Sequence, residues 1–151
     1  MCRVTELLNM AQRRSLSIGL QAFEMHLRQA DTWLRGGEER GILCRRGLNL
    51  PPEQRAAGRA QIAEALAQIT ALAERFDLAA ADDDLGATIA AQMSVDWANL
   101  CDARSAKLRR YGEVDPRLPD LLDADLDRLA LLALSLAALG RGGQEETITD
   151  G

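Results

Sequence analysis

Apolar and polar residues alternate along this chain with the periodicity of α-helices. In the first predicted helix, over residues 4–35, apolar side chains recur at spacings of three and four, so they share one helix face. They are Leu16, Leu20, Phe23, Leu27, Ala30 and Leu34, with a second line of Ile18, Ala22, Met25 and Trp33 beside them. The second line widens the face that we expect to be buried.

The same pattern predicts three more helices, over residues 52–76, 85–111 and 124–139. Local signals support their boundaries. Gly36-Gly37 is expected to stop the first helix, Pro52 suits the first turn of the second, and the run of aspartates at 82–84 offers an N-cap for the third. Asp120 or Asp123 is expected to cap the fourth helix.

Residues 129–139 are the most apolar stretch of the chain, and Ser135 is their one polar residue. A helix that is apolar all round must be surrounded on most sides. We therefore expect this segment either to be the central helix of a monomer or to complete an interface between two copies. A continuous leucine face left bare would invite aggregation.

Four helices with wide apolar faces predict an all-α fold, a four-helix bundle with antiparallel helices. The bundle domain is expected to span residues 1–140, with a flexible C-terminal tail over 141–151. One long connection, residues 38–50, joins helices one and two. The sequence leaves open whether it forms a short helical turn or runs along the bundle as a crossover.

Composition narrows the class of protein further. The chain is 47% hydrophobic, which argues against whole-chain disorder. Its formal net charge of −5 argues against non-specific nucleic-acid binding, which needs a dense cationic face. The longest apolar run is shorter than the roughly 20 residues that span a bilayer, so we expect neither a membrane nor a nucleic-acid partner.

The cysteines are few and far apart, at Cys2, Cys44 and Cys101, and form no metal-binding or redox pair. Free thiols and the lack of an apolar N-terminal stretch predict a cytoplasmic protein. No cofactor is expected. The chain has one histidine, His26, whereas a di-iron bundle needs two Glu-x-x-His motifs. No nucleophile elbow or phosphate-binding loop is present either.

His26 lies in the predicted first helix, within Phe23-Glu24-Met25-His26-Leu27-Arg28-Gln29-Ala30. Over this one turn the chain is similar to the phosphoacceptor segment of histidine phosphotransfer domains, which are also helical bundles. The resemblance implies that His26 would carry a phosphoryl group. In that family a basic residue usually follows three positions later and glycine four positions later, whereas this chain has Gln29 and Ala30 there.

Five residues are candidates for contacts with a protein partner: Trp33, Arg45, Arg46, Trp97 and Arg104. Each tryptophan fits either core packing or an interface anchor. Arg45-Arg46 is one of three basic doublets, with Arg13-Arg14 and Arg109-Arg110, that would seat an anion if they converged. Otherwise they are solvated pairs.

Arg104 interrupts the apolar line of the predicted third helix. Its side chain either snorkels at the edge of the core or forms a buried ion pair, for example with Asp96 or Asp102 of a second copy.

These observations predict a non-enzymatic helical interaction module that associates as a homodimer: an adaptor, an assembly factor or a regulatory subunit. Two alternatives remain. One is a phosphotransfer carrier that uses His26. The other is a binder of an apolar small molecule between the helices.

Overall fold

The structure is a computed structural model that describes residues 7–142. It is mostly helical, which confirms the all-α class. Its elements are α1 (Met10–Gly36), β1 (Glu38–Arg40), β2 (Arg45–Gly47), α2 (Pro52–Arg75), α3 (Leu85–Asp102), α4 (Ser105–Leu108), a 3-10 turn (Arg109–Tyr111) and α5 (Leu118–Arg141). Backbone contacts divide the chain into two compact units, one ending at Ala81 and the other beginning at Asp82.

Helix α1 begins later than predicted because Asn9 caps it. The Asn9 side chain accepts a hydrogen bond from the backbone N–H of Gln12 (2.8 Å), and the Gln12 side chain accepts one from the N–H of Asn9 (2.9 Å). This reciprocal pair is a capping box. The helix ends at Gly36, and Gly37 adopts a φ of 73°, so the predicted glycine stop is confirmed.

Residues 38–50 form neither the helical turn nor the crossover that the sequence left open. Strands β1 and β2 pair in an antiparallel hairpin, with Glu39 opposite Arg46 and Arg40 opposite Arg45. The Leu48 N–H donates to the Gly37 carbonyl at the base of the hairpin (2.8 Å). Three-residue strands show no clear apolar alternation, which explains why the pattern did not reveal them.

In the first unit, α1 packs against α2. Leu27 of α1 and Ile62 of α2 are its buried large side chains among the described residues. The main predicted stripe of α1 is largely confirmed, although Phe23 is half exposed. The second line is wrong apart from the half-buried Trp33. Ile18 and Met25 are more than half exposed, because one neighbouring helix covers only a narrow face.

In the second unit, small residues bring α3 and α5 close together. Within residues 82–142, the buried apolar residues are all alanines: Ala90 of α3, and Ala130, Ala133 and Ala137 of α5. The start of α3 meets the end of α5 at Gly86 and Gly140, where a Cβ atom added to Gly140 would lie 2.5 Å from the Gly86 carbonyl oxygen. The two backbones therefore touch at this point.

Within the second unit, residues 129–139 are not surrounded on most sides as the sequence predicted. Six leucines of α5 between positions 129 and 139 are between 41% and 73% exposed, and the buried positions among them are alanines. The reason is packing distance: short alanine side chains let two helices approach closely, so the longer leucine side chains point away from the contact.

The predicted unbroken third helix is also wrong. Helix α3 ends at Asp102, and a separate short helix, α4, starts after Arg104, whose backbone is extended. Asp123 stabilises this break, since its carboxylate accepts hydrogen bonds from the backbone N–H (2.9 Å) and the hydroxyl (2.8 Å) of Ser105. Asp123 thus caps α4 and not the fourth predicted helix, which begins at Leu118, before the predicted 124.

Residues 143–151, most of the predicted tail, lie outside the described residues, while Arg141 is the last residue of α5. None of the described helices combines the length and apolar character that crossing a bilayer requires.

Candidate interaction surfaces

A line of exposed leucines runs along α5. Four of them are spaced three, four and three residues apart, so they share one helix face. We call Leu129, Leu132, Leu136 and Leu139 the leucine stripe; their exposed fractions are 49%, 42%, 47% and 73%. Leu131 and Leu134 are also exposed but lie off this line. A three-four spacing of apolar residues is the pattern by which helices pair in coiled coils.

A polar cluster joins the end of α1 to the β-hairpin. The Trp33 indole N–H donates to Glu39 Oε1 (2.6 Å), and Arg46 Nη2 donates to Glu39 Oε2 (2.5 Å). The Arg46 guanidinium also lies 5.4 Å from the centre of the Trp33 ring, within cation–π distance. The hydrogen bond from Trp33 and then that from Arg46 hold the pKa of Glu39 below its usual value.

This cluster brings together two of the predicted residues, Trp33 and Arg46, and adds Glu39. Arg45 projects from the opposite side of β2, because successive strand residues alternate between faces. Its guanidinium makes no ion pair or hydrogen bond with the described residues. Trp33 is therefore held within its own unit by polar contacts, and Arg45 is the member of the doublet that remains available to a partner.

The basic doublets do not converge within the first unit. Arg13 donates to the Asp77 carbonyl (3.3 Å) near the start of α1, whereas Arg46 lies beside Trp33 near its end. About twenty helical residues separate positions 13 and 33, roughly 30 Å. In the second unit, Arg110 donates to the Lys107 carbonyl (3.1 Å). The described arginines of these doublets make contacts near their own positions in the chain. In the first unit they do not form a common anion-binding site.

Arg104 and Trp97 lie in the second unit, on or next to α3. Within the chain, Arg104 pairs with Asp127 (3.2 Å) and, more distantly, with Asp123 (3.9 Å), both on α5. A pair with Asp96 or Asp102 of a second copy stays a prediction. Its side chain is 46% exposed, so it lies at the edge of the packed face. Trp97 is 40% exposed. The hydrogen bonds from Ser105, with a smaller contribution from the Arg104 charge, hold the pKa of Asp123 below its usual value.

His26 is exposed on α1, and the phosphotransfer role that the resemblance implies stays a prediction. Among the described cysteines, Cys44 is exposed, Cys101 is half-buried and neither forms a disulfide. No group of three or more His, Cys, Asp or Glu side chains within residues 7–142 is arranged to hold a metal ion.

Grooves between α1 and α2 are the nearest feature to an apolar binding site. One has a volume of about 360 Å³ and is lined by Leu20, Ile69, Ala73 and Leu78, with Glu24 at its edge. It is a surface groove of a two-helix layer. Binding of an apolar small molecule here stays a prediction.

Sequence reasoning missed three elements of these surfaces: the leucine stripe as an exposed feature, Glu39, and the Asp123–Asp127 pair. The spacing of the stripe is visible in the sequence, but its exposure is not. Glu39 meets Trp33 and Arg46 only because of the hairpin register, which the sequence does not reveal. Asp123 and Asp127 did look like helix-start acids, and their actual role depends on where α3 ends.

Comparison of the chain with protein-family models, with curated proteins and with solved structures finds no match.

Proposed function

We propose that this protein is a non-enzymatic helical interaction module that works as a homodimer, and that the leucine stripe of α5 is where the two copies meet. The observation that carries the proposal is the composition of the second unit's core. Among the described residues of this unit, every buried apolar residue is an alanine, while the leucines of α5 between positions 129 and 139 are exposed.

Alanine contacts alone supply little burial energy. Complete burial of a leucine side chain contributes about 1.5–3 kcal/mol, several times what an alanine methyl group adds. The leucines of the stripe are between 42% and 73% exposed, so burial of the exposed part against a partner is worth roughly 1 kcal/mol per side chain. A copy of the same stripe is a partner with matching spacing and apolar character, as in isologous dimers.

The antiparallel four-helix bundle over residues 1–140 stays our proposal for the assembled protein. Each unit contributes two long helices, and helices with one apolar face must bury it against another element. The oligomeric state decides whether the bundle forms within one chain or from two copies. An adaptor, an assembly factor and a regulatory subunit all fit this surface, and a captured partner would distinguish among them.

Sedimentation velocity over a range of chain concentrations tests the proposal. The wild-type chain is expected to be a dimer at micromolar concentration. The double variant L132S/L136S removes two members of the stripe and should shift the chain to monomer. Its matched control is L131S/L134S, which removes two exposed leucines of the same helix that lie off the stripe, and which should stay dimeric.

Circular dichroism distinguishes dissociation from unfolding, since both variants should keep the helical signal at high concentration. A wild-type chain that is monomeric at high micromolar concentration would refute the dimer. Equal dissociation in both double variants would refute the assignment to the stripe.

A further inference from the structure

The tip of the β-hairpin is built differently from an ordinary solvent-facing turn. Residues 41–44, which we call the tip loop, read Gly-Ile-Leu-Cys. Ile42 and Leu43 are fully exposed, at 102% and 99%. Turns of this kind usually carry Gly, Asn, Asp, Ser or Pro, because polar side chains satisfy the local backbone and water. Two adjacent large aliphatic side chains at the apex bury no surface against the described part of the chain, so they add no stability to the fold.

The loop holds these side chains in a defined position. The Gly41 N–H donates to the Cys44 carbonyl across the loop (2.9 Å), and the strands on either side pair residue for residue. At the base of the hairpin, Arg55 of α2 donates to the Leu48 carbonyl (2.9 Å). Ile42 and Leu43 are thus presented on a braced support, which lowers the entropy cost of docking.

Arginines surround the base of the tip. Arg40 and Arg45 are directly opposite each other at the last strand pair, and like charges in that position destabilise a hairpin. Arg40 is partly neutralised by Glu38 (3.3 Å) and Arg46 by Glu39 (2.5 Å), while the Arg45 guanidinium has no ion pair among the described residues. The facing pair of Arg40 and Arg45 becomes favourable once an anionic partner lies against the tip.

Charge is distributed unevenly between the two halves of the chain, and the half that contains the hairpin is the positive one. Residues 1–81 carry eleven arginines against nine acidic residues, a net charge of +2. Residues 82–151 carry seven basic residues against fourteen acidic ones, a net charge of −7. Asymmetry of charge between the halves of a chain is typical of proteins that dock on anionic surfaces. The net charge of −5 is therefore the sum of a negative half and a weakly positive half, and the hairpin lies in the positive half.

We infer that the tip loop docks on an anionic lipid bilayer, with Ile42 and Leu43 in the headgroup–acyl boundary and Arg45, whose guanidinium has no ion pair among the described residues, against the lipid phosphates. The order of residues favours a bilayer over a nucleic acid. The aliphatic side chains form the apex and the arginines lie two or three residues from it, which matches the apolar interior and charged surface of a membrane. Aliphatic side chains cannot stack on bases as aromatic ones do.

This inference departs from the expectation of no membrane partner. That expectation rested on the lack of an apolar run long enough to span a bilayer, and surface docking needs none. It is independent of the proposed dimer, because the hairpin lies in the first unit and the leucine stripe in the second.

Co-sedimentation of the full chain with vesicles tests the inference. The wild-type chain should partition onto phosphatidylcholine vesicles that contain one-third phosphatidylglycerol, and about fivefold less onto pure phosphatidylcholine, since the unpaired Arg45 favours an anionic surface. I42S/L43S should lower partitioning about tenfold. R45Q should lower it about fivefold and weaken its salt dependence.

Matched controls come from the same unit. I18S/M25S removes two exposed apolar side chains of α1, and R14Q removes an exposed arginine far from the hairpin; both should bind vesicles like wild type. Because Ile42 and Leu43 contact solvent only, I42S/L43S should keep the wild-type thermal unfolding midpoint and oligomeric state.

Two results would overturn the inference: no binding of the wild-type chain to anionic vesicles, or equal binding by I42S/L43S and wild type. Binding to a duplex or single-stranded DNA probe without binding to vesicles would also overturn it and would assign the tip to nucleic acid. Vesicle binding by a strictly monomeric chain would support this inference while it refuted the proposed dimer.

Discussion

At Gly140 the two main helices of the second unit touch backbone to backbone. A Cβ atom at this position would lie 2.5 Å from the Gly86 carbonyl oxygen and 3.0 Å from the Ala90 nitrogen. Both neighbours are main-chain atoms, so the helices must move apart to make room. We expect Gly140→Ala to lower the free energy of unfolding by about 1–3 kcal/mol, the usual cost of overpacking.

Gly19 is the matched control because it lies in the middle of α1 with nothing within 4 Å of an added Cβ atom. Gly19→Ala should raise the free energy of unfolding by about 0.5–1 kcal/mol, since alanine loses less backbone entropy in a helix. Urea denaturation of both variants measures the difference. If Gly140→Ala is as stable as wild type, the helices are not in backbone contact there.

The break between α3 and α4 shows how one element depends on another. Asp123 of α5 accepts both hydrogen bonds of Ser105, and these bonds keep the Asp123 carboxylate ionised to lower pH than usual. A carboxylate whose folded-state pKa is lowered contributes stability above its ordinary pKa of 3.8 and loses it as pH falls through the folded value. We expect Asp123→Asn to remove this contribution.

The free-energy difference between wild type and Asp123→Asn should therefore be largest near neutral pH and shrink below about pH 4. Urea denaturation across this range measures it. Asp120→Asn, an exposed acid of the same helix, controls for the loss of one negative charge. A difference between wild type and Asp123→Asn that stays constant with pH would contradict the role of Asp123 as the cap of α4.

The same element explains what the sequence could and could not predict. Four long helices followed from apolar spacing, and the boundaries at Gly37 and Asp84 followed from local capping chemistry. The end of α3 did not, because Asp102-Ala103-Arg104-Ser105 contains neither glycine nor proline and the cap comes from a residue on another helix. The hairpin was missed because its pairing rests on the cross-strand contact of Glu39 with Arg46, which only the register reveals.

Exposure of the leucines was also unpredictable, although their spacing was visible. Periodicity shows which residues share a face, but not which face the neighbouring helix takes. In α5 the face that packs against α3 is formed by the alanines at 130, 133 and 137, because small side chains permit the closer approach of the two helices. Trp33, Arg46 and Arg104 were singled out as candidate contacts with a protein partner, and this role stays a prediction. Their contacts within the chain, with Glu39, Asp123 and Asp127, became apparent only in three dimensions.

For the whole molecule, the homodimer that we propose would make stability a function of chain concentration. If two chains associate only when folded, the free energy of unfolding of the dimer rises by about 2.7 kcal/mol when the chain concentration rises a hundredfold. Shared between two chains of 151 residues, this gain corresponds to a rise in unfolding midpoint of roughly 5 °C. We expect differential scanning calorimetry of the wild-type chain to show this rise.

L132S/L136S cannot gain from association through the stripe, so its midpoint should be lower and independent of concentration. L131S/L134S loses the same number of leucines from the same helix and should keep the concentration dependence. A wild-type midpoint that does not move over two decades of concentration would mean that the leucine stripe is covered within the chain or left in water. In either case the surface that distinguishes this molecule would not be a dimer interface, and the hairpin tip would become its strongest candidate contact.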